Sequence, residues 1–482
     1  SKKVKKFQRI KILKNISWDD LEIIEANKYD LPGLKLELVP QRIYKYNRYL
    51  SHILGYTNKP SEQDLNLPYI SNMPSLDIGK IGIEKIFNEK LIGHSGKREI
   101  EVNANGREIR EISKKLSVKG SSVKISIDLR VQRFVHKNLD KHIAGSVVVL
   151  DINTGEIISM VSIPDYNPNL IIKKPNSVYW SEILNNSHAP LINRSIQGLY
   201  APGSTFKMIV ALAGLRKGVI STKDSVFCEG KIDFGNRPYH CWKTNGHGKT
   251  NLLRAIKESC DVYFYELSKK IGIDDIAKMA KEFGLGQVSD LGFENEKKGI
   301  IPSKKWKKET IKESWYAGET LNSAIGQGYT LSTPLQLAVM TARIASNGKK
   351  IQPSIFKKDL ANEFENINVK NNHIDLIKKG MFKVVNEQKG TAFKSRSNLI
   401  TFSGKTGTSQ VKKITLEERE SEDFRKKELS WKNKDHALFV GYMPSNKPKY
   451  AISVVIEHGG SGASIAAPIA KNIFNYLHNI KI

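Results

Sequence analysis

Short runs dense in β-branched and aliphatic residues stand in two groups far apart along the chain, with helix-patterned sequence between them. No other feature restricts the fold as much. The first group is Ser146-Val147-Val148-Val149-Leu150-Asp151 and Glu156 to Ile163, on either side of Asn153-Thr154-Gly155, which has a hairpin-turn composition. The second is Leu399 to Val411, His436 to Tyr442 and Tyr450 to Glu457. Runs this continuously apolar suit strands covered on both faces. Strands in both groups with helices between them predict one antiparallel sheet assembled from distant segments and flanked by helices, an α+β fold.

Helical patterns frame that sheet. Asp128 has the position and chemistry of an N-cap for a helix carrying Val131, Val135 and Leu139. A last helix is expected over Ser464 to His478, with Ile465, Ile469, Ile473 and Leu477 on one face and Pro468 in its first turn, where proline is tolerated. The nearly all-charged stretch Leu416 to Lys434 reads as an exposed loop between two strands. Residues 1–118 differ in character: they are charged, broken by Asp30-Leu31-Pro32-Gly33, Asn58-Lys59-Pro60 and Asn105-Gly106, and hold short alternating stretches such as Arg98 to Val102. They read as a small, extended α/β module ahead of a larger domain over 119–482. A chain of 482 residues has room for both, and no internal repeat points to a solenoid.

Lys and Arg number 77 against 49 Asp and Glu, a formal net charge of +28. Such a surplus raises nucleic acid, a membrane surface or an acidic polymer as partners. The lysines are scattered through every segment, however. The two dense clusters, Lys2 to Lys14 and Lys297 to Lys312 around Trp306, lack the interleaved aromatics of a base-stacking surface, so no nucleic-acid partner is expected. No window of about 18 consecutive apolar residues occurs, which excludes a bundle of membrane helices within the chain.

The chemistry concentrates at three places. Ser-x-x-Lys occurs five times, at Ser121, Ser204, Ser346, Ser354 and Ser409. Only Ser204 follows a Pro202-Gly203 turn and opens an apolar helix, Met208-Ile209-Val210-Ala211-Leu212-Ala213, which Gly218 ends. There Lys207 lies one turn on, placed to take a proton from an otherwise poor nucleophile, and the N–H groups of the helix N-terminus can meet a developing oxyanion. A plain helix cap is the competing reading of Ser204. Lys405-Thr406-Gly407-Thr408 holds the single Lys-Thr-Gly of the chain, on an expected strand. Its glycine lets a substrate backbone lie against the strand edge, while the lysine and threonine hydroxyls can bind a carboxylate. A nucleotide-binding loop fails on spacing, because the glycine it needs falls at Leu399. Ser259-Cys260-Asp261 lies in a mainly helical stretch and means little alone.

In that order, Ser-x-x-Lys, Ser-x-Asp and Lys-Thr-Gly resemble the penicillin-recognising serine enzymes. The likeness extends through Asp77-Ile78-Gly79-Lys80-Ile81-Gly82-Ile83-Glu84, Asn193-Arg194-Ser195, Trp242-Lys243 to Gly246-His247-Gly248, and Gly326-Gln327-Gly328. From about Pro40 onward the chain resembles the class B penicillin-binding proteins, in particular their penicillin-binding protein 2 branch, where Asp replaces the Asn of the wider family, as Asp261 does here. The resemblance implies a transpeptidase and β-lactamase-like fold carried on a non-catalytic pedestal. It implies a peptidoglycan D,D-transpeptidase of cell elongation, working through a serine acyl-enzyme that β-lactams intercept. In that scheme Ser204 is the nucleophile, Lys207 the base, and Ser259 the proton carrier to the leaving amine. The backbone N–H groups of Ser204 and Thr408 form the oxyanion hole, and Lys405, Thr406 and Thr408 along the Gly407 strand hold the terminal carboxylate. A carboxylate at Asp261 beside Lys207 favours a charged amine and so works against the base. The resemblance further implies a periplasmic catalytic domain, with an inner-membrane anchor and a first pedestal strand lying outside this chain. The partners it implies are stem peptides, β-lactams, and a membrane glycosyltransferase of the shape, elongation, division and sporulation family within the elongation complex. The rival readings are a serine β-lactamase or D,D-carboxypeptidase, and a catalytically silent β-lactam sensor.

All three cysteines, Cys228, Cys241 and Cys260, fall within 33 positions that also hold His247. Three thiolates and an imidazole make a structural zinc donor set, although spacings of 13, 6 and 13 residues differ from a Cys-x2-Cys knuckle. Three unconnected thiols, or a Cys228 to Cys241 disulfide with Cys260 buried, also fit the spacing. Likeness to the penicillin-binding protein 2 branch favours zinc, with no cofactor for catalysis, since four protein ligands leave no open position. Cys260 sits between Ser259 and Asp261, so an ion held there would brace the second motif.

Overall fold

A computed structural model describes residues 12–13, 16–31, 33–36, 41–71, 76–104, 108–173, 178–357, 363–411 and 430–480. The chain divides into two units, Ser1–Val123 with Asn167–Glu182, and Lys124–Tyr166 with Ile183–Ile482. In the first unit, Tyr44, Leu50, Ile53, Ile70, Ile78 and Ile83 are buried in a small core. Thr57–Asn58 pairs antiparallel with Ile78–Gly79, and Lys97–Val102 with Glu108–Lys115. Ion pairs of 2.6 Å, Arg98 to Glu111 and Arg110 to Glu101, cross the second hairpin, whose residues are largely exposed. The Asn105-Gly106 turn, Pro32 and most of the Lys2 to Lys14 cluster lie outside the described residues.

The second unit is built on Gly145–Asp151 (β1), Ile157–Ile163 (β2), Ser403–Ser409 (β3), His436–Met443 (β4) and Tyr450–Ile456 (β5). They form one sheet in the order β3-β4-β5-β1-β2, every neighbouring pair antiparallel. The expected α+β sheet from distant segments is therefore present, with β3 shorter than the run Leu399 to Val411. The charged loop read over Leu416 to Lys434 falls mostly outside the described residues; its end, Trp431–Asn433, is a 3₁₀ turn.

Helix Leu129–Leu139 (α1) starts where Asp128 accepts the N–H groups of Arg130 and Val131, and it buries Val131, Val135 and Leu139. Lys207–Lys217 (α2), Leu252–Lys257 (α3) and Asp261–Ile271 (α4) follow in the helical part. Pro334–Ala345 (α5) is mostly apolar, and each of its 12 residues, Gln336, Thr341 and Arg343 included, is buried; it packs on β1, β4 and β5. Thr333 and Gln336 close a capping box at its start, and each fully buried Leu, Ile or Met on it contributes about 1.5–3 kcal/mol. Asn371–Asn386 (α6) packs on α3 and β3, and Ala467–Asn479 (α7) packs on α1, β4 and β5. Gly462–Ala466 is a π-helical turn, so α7 begins later than expected and Ile469, Ile473 and Leu477 supply its buried stripe while Ile465 stays half-buried. Within the second basic cluster, Lys307 is buried and paired with Glu319 at 2.7 Å.

Candidate active site

Ser204 lies in a 3₁₀ turn, Gly203–Phe206, directly ahead of α2. The expected α-helical start is displaced by one turn for a local reason: Gly203 has φ 55°, and the Thr205 hydroxyl donates to the Pro202 carbonyl at 2.7 Å. Side chains three apart superpose in such a turn, so Ser204 and Lys207 share a face. Ser204 is half-buried, and among the described residues its hydroxyl has no hydrogen-bond partner, which leaves it open to a substrate. Close backbone approaches fix the turn. The Gly203 N–H donates to the Gly326 carbonyl at 2.9 Å. A Cβ on Gly203 would stand 2.6 Å from the Thr408 carbonyl oxygen, and one on Gly407 would stand 2.9 Å from the Thr205 methyl. Only glycines let the serine turn and β3 come this close.

Ser259 occupies the break between α3 and α4 at φ 58°, a left-handed conformation that costs a residue with a side chain about 1–2 kcal/mol. The break turns its carbonyl and hydroxyl toward Lys207. Lys207 Nζ donates to Ser259 O at 2.9 Å, to Ser259 Oγ at 3.2 Å and to Asp261 Oδ1 at 2.7 Å. From β3, Lys405 Nζ donates to the same Ser259 hydroxyl at 2.9 Å and to the Thr406 carbonyl at 3.0 Å. One hydroxyl thus joins residues of all three motifs. Both lysines are 0% exposed. Two buried ammonium groups beside one carboxylate are unfavourable. Burial first, and then the charge of Lys207, hold Lys405 well below the usual lysine range, with Asp261 opposing.

Thr406 and Thr408 are placed differently. The Thr406 hydroxyl is buried and lies 2.7 Å from Thr391 Oγ1, while Thr408 is exposed and its carbonyl accepts Gln327 Nε2 at 3.3 Å. Sequence reasoning gave no role to Trp242 or Thr391. The Trp242 N–H donates to Asp261 Oδ2 at 2.9 Å, and its indole N–H donates to the carbonyls of Glu258 and Ser259, each at 3.1 Å. Its place directly after Cys241 was the available signal.

Cys228, Cys241, His247 and Cys260 come together as well, all buried, with their donor atoms within 4.8 Å of one another. Cys228 ends a strand that pairs with Gly248–Asn251, and Cys260 is the N-cap of α4. His247 Nδ1 lies 3.6 Å from Cys228 Sγ and 3.5 Å from Cys241 Sγ. A tetrahedral zinc ion with Zn–S of about 2.3 Å and Zn–N of about 2.0–2.1 Å has N···S edges of about 3.6 Å, so the residues fit the ion. A hydrogen bond from the Cys260 thiol holds Cys241 below the ordinary thiol range, against the opposing effect of burial. All three cysteines are free thiols, so the disulfide alternative is not formed.

The family model of the penicillin binding protein transpeptidase domain matches residues 145–475, which include the whole sheet and all three motifs. The chain belongs to the penicillin-binding protein transpeptidases. The penicillin-binding protein dimerisation domain matches residues 1–125. Over 97% of its length this penicillin-binding protein is 34% identical to the peptidoglycan D,D-transpeptidase MrdA of Haemophilus influenzae, 74% of which it covers. The Helicobacter pylori complex of penicillin-binding protein 2 with MreC superposes with a TM-score of 0.85 at 31% identity, over 98% of this chain and 85% of that one. Pseudomonas aeruginosa penicillin-binding protein 2 in complex with WCK 5153 superposes with a TM-score of 0.76 at 33% identity, over 91% of this chain and 92% of that one. The resemblance read from the motifs to the penicillin-binding protein 2 branch is borne out.

Proposed function

We propose that this chain is a peptidoglycan D,D-transpeptidase of wall elongation, acting through an acyl-enzyme on Ser204. The observation that carries the reading is the convergence of Lys207 and Lys405 on the Ser259 hydroxyl, beside the Ser204 turn. Ser204 Oγ bonds to the carbonyl carbon of the penultimate D-alanine of a donor stem peptide, and the bond to the terminal D-alanine nitrogen breaks. Lys207 can accept the Ser204 proton only as an amine. The terminal carboxylate of the donor, arriving at β3, stabilises an ammonium at Lys405 and so draws a proton from Lys207 through the Ser259 hydroxyl. Lys207 then takes the Ser204 proton, and Ser259 hands its proton to the departing D-alanine amine as it takes that proton back from Lys207. The backbone N–H groups of Ser204 and Thr408 meet the charge on the carbonyl oxygen. An amine from a second stem peptide attacks the ester carbon, makes a new peptide bond and frees Ser204. Thr408 supplies the side-chain contact to the carboxylate, while Thr406, engaged with Thr391, and Gly407 set the position of the strand.

Cys228, Cys241, His247 and Cys260 would hold a structural zinc ion, which supplies a closed tetrahedral shell and no open coordination position. Cys260 and Trp242 pass that rigidity to Ser259 and Asp261. The proposal extends to a periplasmic catalytic unit with an inner-membrane anchor; among the described residues no helix is long and apolar enough to cross a membrane. It also extends to elongation-complex partners, including a glycosyltransferase of the shape, elongation, division and sporulation family. The Helicobacter pylori relative is in complex with MreC, and a further structural neighbour belongs to a peptidoglycan synthase complex. Mass spectrometry of the intact protein after benzylpenicillin treatment is the test. A persistent adduct of one antibiotic molecule is expected, and none on Ser204→Ala. An adduct on Ser204→Ala overturns the assignment, and rapid release of hydrolysed antibiotic by the wild type points to a β-lactamase instead.

A further inference from the structure

A cleft of about 420 Å³ opens between α3 and the turn that follows α6. Arg254, Lys257, Glu258, Lys383, Glu387 and Lys389 line it, so four cations face two carboxylates and positive charge is in excess. The carboxylates are already engaged. Glu258 meets Arg254 at 3.1 Å and Lys257 at 3.8 Å, while Glu387 meets Lys257 at 3.7 Å and also pairs with Lys383. Lys389 is exposed, and among the described residues its ammonium has no ion pair or hydrogen bond. Its backbone has φ 63°, so the turn presents this lysine from a conformation that disfavours side chains.

The cleft adjoins the catalytic motifs. Glu258 immediately precedes Ser259. The Lys257 carbonyl accepts the Thr391 N–H at 3.2 Å, and Thr391 Oγ1 lies 2.7 Å from Thr406 Oγ1 on β3. A peptide whose terminal carboxylate rests on β3 gains about 3.3–3.6 Å of reach per extended residue, so its neighbouring side chains can come to the cleft. We propose that this cleft is a subsite for a carboxylate borne on a side chain of the peptidoglycan stem peptide, with Lys389 as its contact. The inference rests on the transpeptidase reading of the adjacent site. Benzylpenicillin carries only a phenylacetamido group where the stem continues, with no side-chain carboxylate, so it offers Lys389 no ion pair.

Lys389→Glu and Lys389→Gln in the full chain test this. Acylation by benzylpenicillin is expected to be unchanged in both variants. Release of D-alanine from a pentapeptide with a free side-chain carboxylate is expected to fall about tenfold in kcat/KM in Lys389→Glu, chiefly through KM, with a smaller loss in Lys389→Gln. The matching pentapeptide with that carboxylate amidated is expected to respond to neither substitution. Amidating donor and acceptor one at a time assigns the carboxylate to one stem or the other. An equal response of free and amidated peptides, or no loss in Lys389→Glu, overturns the subsite. Failure of benzylpenicillin to acylate the wild type overturns the transpeptidase reading instead.

Discussion

Lys207 and Asp261 meet at 2.7 Å with side-chain exposures of 0% and 11%. A pair this dry is costly to break from one side, because the survivor is left as a buried charge without its counter-ion. Asp261→Leu is expected to destabilise the protein by about 3–5 kcal/mol in denaturant unfolding, and adding Lys207→Met is expected to recover most of the loss. Additive losses would show that the two groups are not coupled. Trp242→Phe keeps a ring packed toward His247 but removes the indole donor to Glu258 and Ser259. Acylation by a fluorescent penicillin is expected to slow about tenfold, since one bifurcated hydrogen bond orients the strained serine. Of these residues, Lys207 and Asp261 were legible as motif members. The role of Trp242 was not, because its acceptors are backbone carbonyls that no residue pattern reveals.

At the level of elements, the proposed acylation of Ser204 requires β3 to lie against the turn ahead of α2. Gly203→Ala would bring a Cβ within 2.6 Å of the Thr408 carbonyl and would force a side chain onto φ 55°. A shift of about 1 Å there is expected to cost on the order of 100-fold in acylation rate, measured by stopped-flow; an unchanged rate would mean that turn and strand can part without consequence. The break between α3 and α4 is the other decisive junction, and Cys260 lies in it. If the cysteine cluster holds the proposed zinc ion, its removal by chelation is expected to lower the melting temperature and the acylation rate together. Full acylation activity in a verified metal-free sample would rule out bracing of Ser259 by the cysteine cluster. The strands and the long helices were legible from period and capping. The 3₁₀ turn at Ser204 and the π-helical turn before α7 were not, because close neighbours such as Gly326 and β3 impose local geometry that composition does not encode.

For the molecule as a whole, half-buried histidines link global stability to pH, and His436 is shifted furthest, ahead of His142 and His373. His436, at the start of β4, accepts the His458 N–H through Nδ1 at 2.9 Å, with Tyr200 and the His458 ring against it. Burial, and then His458, push it down to about 4, with Glu457 opposing. An unfolded histidine titrates near 6.5, so on acidification the unfolded chain takes up a proton before the folded one. Stability is therefore expected to be full above about pH 6.5 and to decline as the pH falls toward 4. Urea unfolding across that range checks this, and His436→Asn, which keeps an acceptor, is expected to flatten the slope. The sequence by itself determined the elements of the sheet, the order of the three motifs and the donor set of the cysteine cluster, because these depend on period, capping and side-chain type. Tertiary structure alone decided that Lys207 is paired with Asp261, that burial holds Lys405 below the usual lysine range, that Thr406 turns to Thr391 and that a basic cleft opens beside them. Such properties depend on which distant groups exclude water from one another, and Lys405 meets Ser259 across 146 positions of the chain.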